Sequence, residues 1–140
     1  MLLKLQVLLP GVDAALRLLG YERTCNLLRI GISKHPTSRR GGDAATDIEH
    51  AQRIARLVGI AANHGLYRAT CLRQSLVLGW LLRRRRIPAE LRIGVRKDGD
   101  DLQAHAWVEL EGQALNDPAG VSQTYAAFPS SGNADGVILQ

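Results

Sequence analysis

The sequence predicts an α+β fold, with helices first and an antiparallel sheet after them. Three observations carry this expectation. Apolar residues recur at helical spacing through the first half of the chain. From Leu91 onward the period falls to two, with Leu91, Ile93 and Val95 alternating with Arg92, Gly94 and Arg96. Between the two regimes stands Ile87-Pro88, where the residue before proline avoids helical geometry and ends the last helix.

The helices follow in order. Residues 1–9 are apolar with one Lys, and the run stops at Pro10-Gly11. Asp13 and Arg17 come soon after and no small-residue cleavage site is present, so this is not read as a signal peptide. No apolar stretch reaches about 18 residues, so no spanning helix is expected. Peripheral membrane contact by residues 1–19 stays open. Val12, Ala15, Leu16 and Leu19 repeat at helical spacing, and Leu27, Leu28 and Ile30 continue an apolar segment beyond Gly20. Residues 33–43 read as a loop from their Pro, Gly and charge content.

In the next helix Thr46 is the expected N-cap, with Glu49 three residues on as in a capping box. Ile48, Ala51, Ala55, Val58 and Ala62 form its buried stripe, and Asn63-His64-Gly65 its stop. A third helix is expected from Cys71 to about Arg85, with Thr70 as N-cap. Leu72, Leu76, Gly79 and Trp80 follow helical spacing, and Leu78, Leu81 and Leu82 widen the apolar surface, so neighbours should cover more than one side. Arg83 to Arg86 read as a solvated helix end, where cations suit the exposed carbonyls. The functional alternative is a docking surface for an acidic peptide or partner protein.

The strands come next. Asp98-Gly99-Asp100-Asp101 is a turn, and Leu102, Ala104, Ala106, Val108 and Leu110 then alternate with Gln103, His105, Trp107 and Glu109. Glu111-Gly112 turns the chain into residues 113–117, and Val137-Ile138-Leu139 offers one more strand. On this reading residues 1–42 are an N-terminal helical region and loop, and residues 43–140 the core, in one compact domain.

Bulk composition narrows the function. The 140 residues suffice for one domain with a real core. The formal charge of +5 favours an anionic partner, but weakly. Aromatic residues make up only 4%, which argues against a base-stacking surface, so no nucleic acid is expected. The two cysteines, Cys25 and Cys71, form neither a disulfide framework nor a C-x-x-C pair, which fits a reduced, cytoplasmic protein. His35, His50 and His64 lack ligand spacing and read as surface or loop residues. A zinc site on Cys71 and His105 lacks further ligands, so neither metal nor cofactor is expected.

The chemistry sits in Cys71, His105 and Asp117. A thiol is a poor nucleophile until it loses its proton, and a helix N-terminus or a nearby imidazolium favours the thiolate. Thr70 as N-cap puts Cys71 in the first turn, among unpaired backbone N–H groups that also suit an oxyanion. Arg68 and Arg73 would add positive potential. Cys25, amid apolar neighbours, reads as a buried small hydrophobe.

The second hairpin decides whether His105 and Asp117 meet. A two-residue loop, Glu111-Gly112, pairs Ala106 with Asp117 and puts Asp117 on the wrong face. A three-residue loop, Leu110-Glu111-Gly112, pairs Glu109 with Gln113, Trp107 with Leu115 and His105 with Asp117. It also puts Gly112 in the left-handed position that such a loop requires, and is the preferred register. Asp117 can then hold the imidazole tautomer that faces the thiol. Trp107 reads as core, though it shares a face with His105 and can wall the site.

These residues carry a resemblance. Ala69-Thr70-Cys71-Leu72, Ala104-His105-Ala106-Trp107-Val108-Glu109 and Leu115-Asn116-Asp117 resemble the transglutaminase-like cysteine proteases. More narrowly, with Leu81-Leu82-Arg83-Arg84 and Ile87-Pro88-Ala89-Glu90-Leu91-Arg92-Ile93-Gly94-Val95, residues 70–118 are similar to the leader peptidases of bacterial lasso-peptide biosynthesis. The resemblance implies a transglutaminase/papain-like core with the catalytic Cys71 at a helix N-terminus. It implies a cysteine peptidase with a Cys71-His105-Asp117 triad that removes the leader from a ribosomally made precursor peptide.

The partners it implies are the precursor's leader, a separate leader-recognition protein and an ATP-dependent macrocyclase. No β-rich recognition segment precedes the helices, so the chain resembles the stand-alone form. An oxyanion donor upstream of the cysteine is also implied but not assigned; Gln52 is one candidate, and Arg73 and Trp107 are further candidate oxyanion or substrate contacts. Two rival readings stand beside this one. One is transglutaminase-like acyl transfer. The other is a non-catalytic module that docks an acidic peptide through Arg73 and Arg83 to Arg86.

Overall fold

The fold is α+β, with N-terminal helices followed by an antiparallel sheet. The computed structural model describes residues 2–28, 44–64, 70–118 and 120–128. In chain order the elements are α1 (Leu2–Leu28), α2 (Ala44–His64), α3 (Cys71–Arg84), β1 (Glu90–Asp98), β2 (Asp101–Leu110), β3 (Gln113–Ala114), α4 (Val121–Thr124) and β4 (Ala126–Ala127). The sheet order is β3-β2-β1-β4.

Helix α3 is the centre. It packs against α1, α2, β1 and β2, so apolar residues on more than one side of it are covered. Leu76, Val77, Leu78 and Leu82 are all at 0% exposure. Burying each such side chain contributes about 1.5–3 kcal/mol. The helix closes in a Schellman motif. Ile87 N–H bonds the Leu82 carbonyl at 3.0 Å and Arg86 N–H the Arg83 carbonyl at 2.9 Å. Buried Ile87 and Leu82 supply the apolar contact that accompanies this motif. Arg86 takes the left-handed position, at φ 60°.

Helix α2 buries Ala51, Ile54, Ala55, Val58, Ala61 and Ala62, close to the expected stripe. Its start differs from the expectation. The helix already runs from Ala44, so Thr46 lies inside the first turn and is not its N-cap. Helix α1 runs through Pro10, where the apolar run of the sequence stops. Pro10 lacks the N–H that would bond the Gln6 carbonyl, a local loss that the burial of Leu5, Leu9 and Val12 outweighs. The helix breaks at Gly20 (φ 78°, ψ 173°), and the buried Thr24 hydroxyl donates to the Gly20 carbonyl at 2.7 Å. The apolar residues 5, 9 and 12 thus serve the core. No helix among the described residues is long and apolar enough to cross a membrane. The expected loop at 33–43 and the strand at Val137 to Leu139 lie outside the described residues, as do Arg68, His35 and Ile30.

Strands β1 and β2 form the long hairpin, with Gly94 opposite His105 and Arg92 opposite Trp107. The even residues of β2 and the odd residues of β1 face the helices; Leu91, Val108 and Leu110 join the helical core. The opposite face carries His105, Trp107 and Glu109.

The register of β3 corrects the expectation. Leu110 pairs with Gln113 and Glu109 with Ala114, so the loop is the two residues Glu111-Gly112. Gly112 is left-handed at φ 76° as expected, but Glu111 is left-handed too, at φ 54°. Two successive positive φ values make the mirror-image turn that matches the twist of paired strands, and this favours the shorter loop. Asparagine adopts that backbone at lower cost than glutamate. Glu111→Asn is therefore expected to raise stability by about 0.5 kcal/mol in urea unfolding, with no change in register.

Candidate active site

Cys71 is the first residue of α3, half-buried and a free thiol. Thr70 occupies the N-cap with extended backbone, but its side chain makes no capping hydrogen bond. Its carbonyl accepts the Gln74 N–H at 3.1 Å. One turn into the helix, the buried Ser75 hydroxyl donates to the Ala106 carbonyl at 2.9 Å. This bond pins the start of α3 beside the residue next to His105.

On the sheet, His105 Nε2 lies 2.8 Å from Asp117 Oδ1, with both side chains largely buried. A carboxylate only accepts, so Nε2 carries the proton and the neutral ring keeps Nδ1 as its basic nitrogen. The pair forms although the ladder is in the register that puts Asp117 on the other face. Asn116 explains this. The Val108–Leu115 pair keeps one ladder bond, from Leu115 N–H to the Val108 carbonyl at 2.9 Å. The Val108 N–H goes instead to Asn116 Oδ1 at 2.8 Å. A side-chain amide thus takes the place of the Leu115 carbonyl, β3 ends after two residues, and the bend that follows turns Asp117 to His105. Asn116 Nδ2 also donates to Ser75 Oγ at 2.9 Å, which ties this bend to α3.

Aromatic rings enclose the imidazole. Trp107 lies nearly parallel to it at 6.2 Å between centroids, and Tyr125 is tilted at 5.0 Å. Tyr125 arrives on the segment leading into β4, which pairs with β1 at Gly94 and Val95. Trp107 is thus fully buried and lies beside His105 on the same face of the sheet.

The other candidates fall elsewhere. Gln52 is on the exposed side of α2. Arg73 does not stand free for a peptide or a thiolate. It forms an ion pair with the buried Asp13 of α1, which also accepts from Arg17 at 3.1 Å. The Asp13 carboxylate offsets its charge, and the pair joins α1 to the first turn of α3. Arg83 to Arg86 are exposed, and the Arg84 guanidinium lies 4.8 Å over the Trp80 ring. Among the described residues no group of three His, Cys, Asp or Glu side chains is placed to hold a metal ion.

The sequence reading missed Ser75, Asn116, Glu109 and Tyr125. One signal was available for Ser75. It is a hydroxyl on the apolar face of a helix, and such a buried group needs a partner.

With this geometry in view, the comparison with known families is decisive for the fold. A family model described as the transglutaminase-like superfamily matches residues 12–130. The chain belongs to that superfamily. The match takes in most of α1, all of α2 and α3, and every described strand. No curated protein and no solved structure shows a significant similarity to the chain. Transglutaminase-like proteins are commonly cysteine-dependent enzymes, of protease or acyltransferase type.

Two outcomes follow from the geometry. Asn116→Ala leaves the Val108 N–H without its partner and is expected to cost about 2 kcal/mol in urea unfolding. Burial pushes the Cys25 thiol above its ordinary value, which leaves less thiolate at neutral pH. Mild alkylation of the folded protein, mapped by mass spectrometry, is expected to modify Cys71 and spare Cys25.

Proposed function

We propose that the protein is a cysteine peptidase that removes the leader from a ribosomally made lasso precursor peptide, with Cys71, His105 and Asp117 as its triad. The observation that carries the proposal is the 2.8 Å bond between His105 and Asp117, on a strand to which Ser75 ties the helix that begins at Cys71. Superfamily membership supports the thiol chemistry. The likeness of residues 70–118 to lasso leader peptidases supports the substrate.

In this mechanism His105 Nδ1 takes the Cys71 proton and the thiolate attacks the scissile carbonyl. The Cys71 N–H, at the N-terminus of α3, would serve the developing oxyanion. The tetrahedral adduct collapses, the C–N bond breaks, and His105 returns the proton to the leaving amine. The leader is now a thioester on Cys71. His105 then takes a proton from water, hydroxide adds to the thioester, and the C–S bond breaks to free the leader as an acid while the Cys71 sulfur takes the proton back from His105. Asp117 stabilises the imidazolium in both halves. The freed amine of the core peptide is the group that an ATP-dependent macrocyclase would use. A separate recognition protein would present the leader.

The test is mass spectrometry of a candidate precursor incubated with the protein and its recognition protein. A single leader cleavage is expected, absent for Cys71→Ala and reduced about 10³-fold or more for His105→Ala. An intact precursor, or equal cutting by Cys71→Ala, would sink the proposal. A leader joined to an added amine instead of water would identify acyl transfer.

A further inference from the structure

Among the described residues Trp107 is the largest fully buried side chain, yet it lies outside the main apolar cluster and on the His105 face of the sheet. Its surroundings show what fixes it. The indole N–H donates to Glu109 Oε1 at 2.8 Å. The other oxygen of Glu109 accepts from Arg92 Nε at 3.1 Å. Glu109 is 8% exposed, so this is a buried carboxylate with both oxygens engaged. A buried charge is costly unless it is paired and hydrogen-bonded, and an apolar residue of similar size often serves stability as well. What the carboxylate supplies here is direction.

The far side of the indole is fixed by an omission. Gly94 stands opposite His105 on β1. A Cβ there would come within 2.9 Å of Trp107 Cη2 and 2.9 Å of the Ala126 carbonyl oxygen. The bare backbone seats the ring and lets β4 approach, and that approach brings Tyr125 against His105. The imidazole is thus bounded by two rings whose own places are set by Glu109 and Gly94.

We infer that Glu109 is a positioning residue, which acts through Trp107 to hold the His105 imidazole in its Asp117-bound orientation. The inference rests on the reading of Cys71 and His105 as a working thiol–imidazole pair. It assigns the chain from Arg92 through Glu109 to Trp107 a role in the chemistry, beyond packing.

The test uses the full chain and needs no peptide substrate. The alkylation rate of Cys71 by iodoacetamide at neutral pH is measured for wild type, Glu109→Ala, His105→Ala and the double variant. Glu109→Ala is expected to slow alkylation about tenfold, as a misplaced base does. In the His105→Ala background the same change is expected to alter the rate by less than about twofold, since coupled residues are non-additive. Glu109→Gln keeps an oxygen for the indole and is expected to recover most of the rate. Equal slowing in both backgrounds, or none in the wild type, means that Glu109 is structural and overturns the inference. If Glu109→Ala does not fold by circular dichroism, Trp107→Phe replaces it in the same cycle, with the same pattern expected. A His105→Ala rate equal to wild type is a separate result, visible before the Glu109 variants are compared. It would remove the thiol–imidazole reading itself, and this inference with it.

Discussion

One hydrogen-bonded junction determines where the candidate site lies. The Ser75 hydroxyl donates to the Ala106 carbonyl and accepts from Asn116, which in turn accepts the Val108 N–H. Three elements meet there: α3, β2 and the bend after β3. Each bond contributes about 1 kcal/mol net, but a buried group left without its partner costs about 1–3 kcal/mol. The junction is therefore strongly specified by what any alternative arrangement would leave unsatisfied. It fixes Cys71 one turn from the contact, His105 one residue from it, and Asp117 directly after Asn116.

Charge is handled in the same way on the two sides of the site. Asp13 takes up Arg73 beneath the first turn of α3, and Arg92 takes up Glu109 beside Trp107. Neither cation is offered to a ligand as a free point charge. Exposed cations are gathered at the other end of α3, in Arg83 and Arg84 and in Arg85 and Arg86 just beyond it. About 20 Å separates the two ends of a helix of this length.

Much of this was legible in the sequence, for physical reasons. The change of period near Pro88 gave the order of helices and sheet. The burial demanded by Leu76, Leu78 and Leu82 marked α3 as a central helix. Thr70 and Cys71 were readable as the helix start because proline and the apolar period bound the element on its other side. The meeting of His105 with Asp117 was also anticipated, but on a wrong argument. The preferred loop needed one left-handed residue, and Gly112 supplied it. The chain uses two, and glutamate at position 111 gives no hint that it will adopt that conformation. The correct facing is restored by Asn116, whose side chain imitates a backbone carbonyl. Such substitution depends on three-dimensional fit, and no spacing reveals it. The ion pair of Arg73 was hidden for a similar reason, since its partner Asp13 lies far away in sequence.

The bonds of the site differ in the length of chain they close. His105 and Asp117 are 12 residues apart, whereas Ser75 reaches 31 residues to Ala106 and Asn116 reaches 41 back to Ser75. Short loops close quickly and at low entropic cost, and long ones close late. The imidazole and its carboxylate thus belong to a local hairpin unit, while the first turns of α3 are tied to that unit through the longer closures at Ser75. An opening between α3 and β2 would break the Ser75 contacts while leaving the hairpin's own ladder paired. The Ser75 junction is in this sense a record of finished folding.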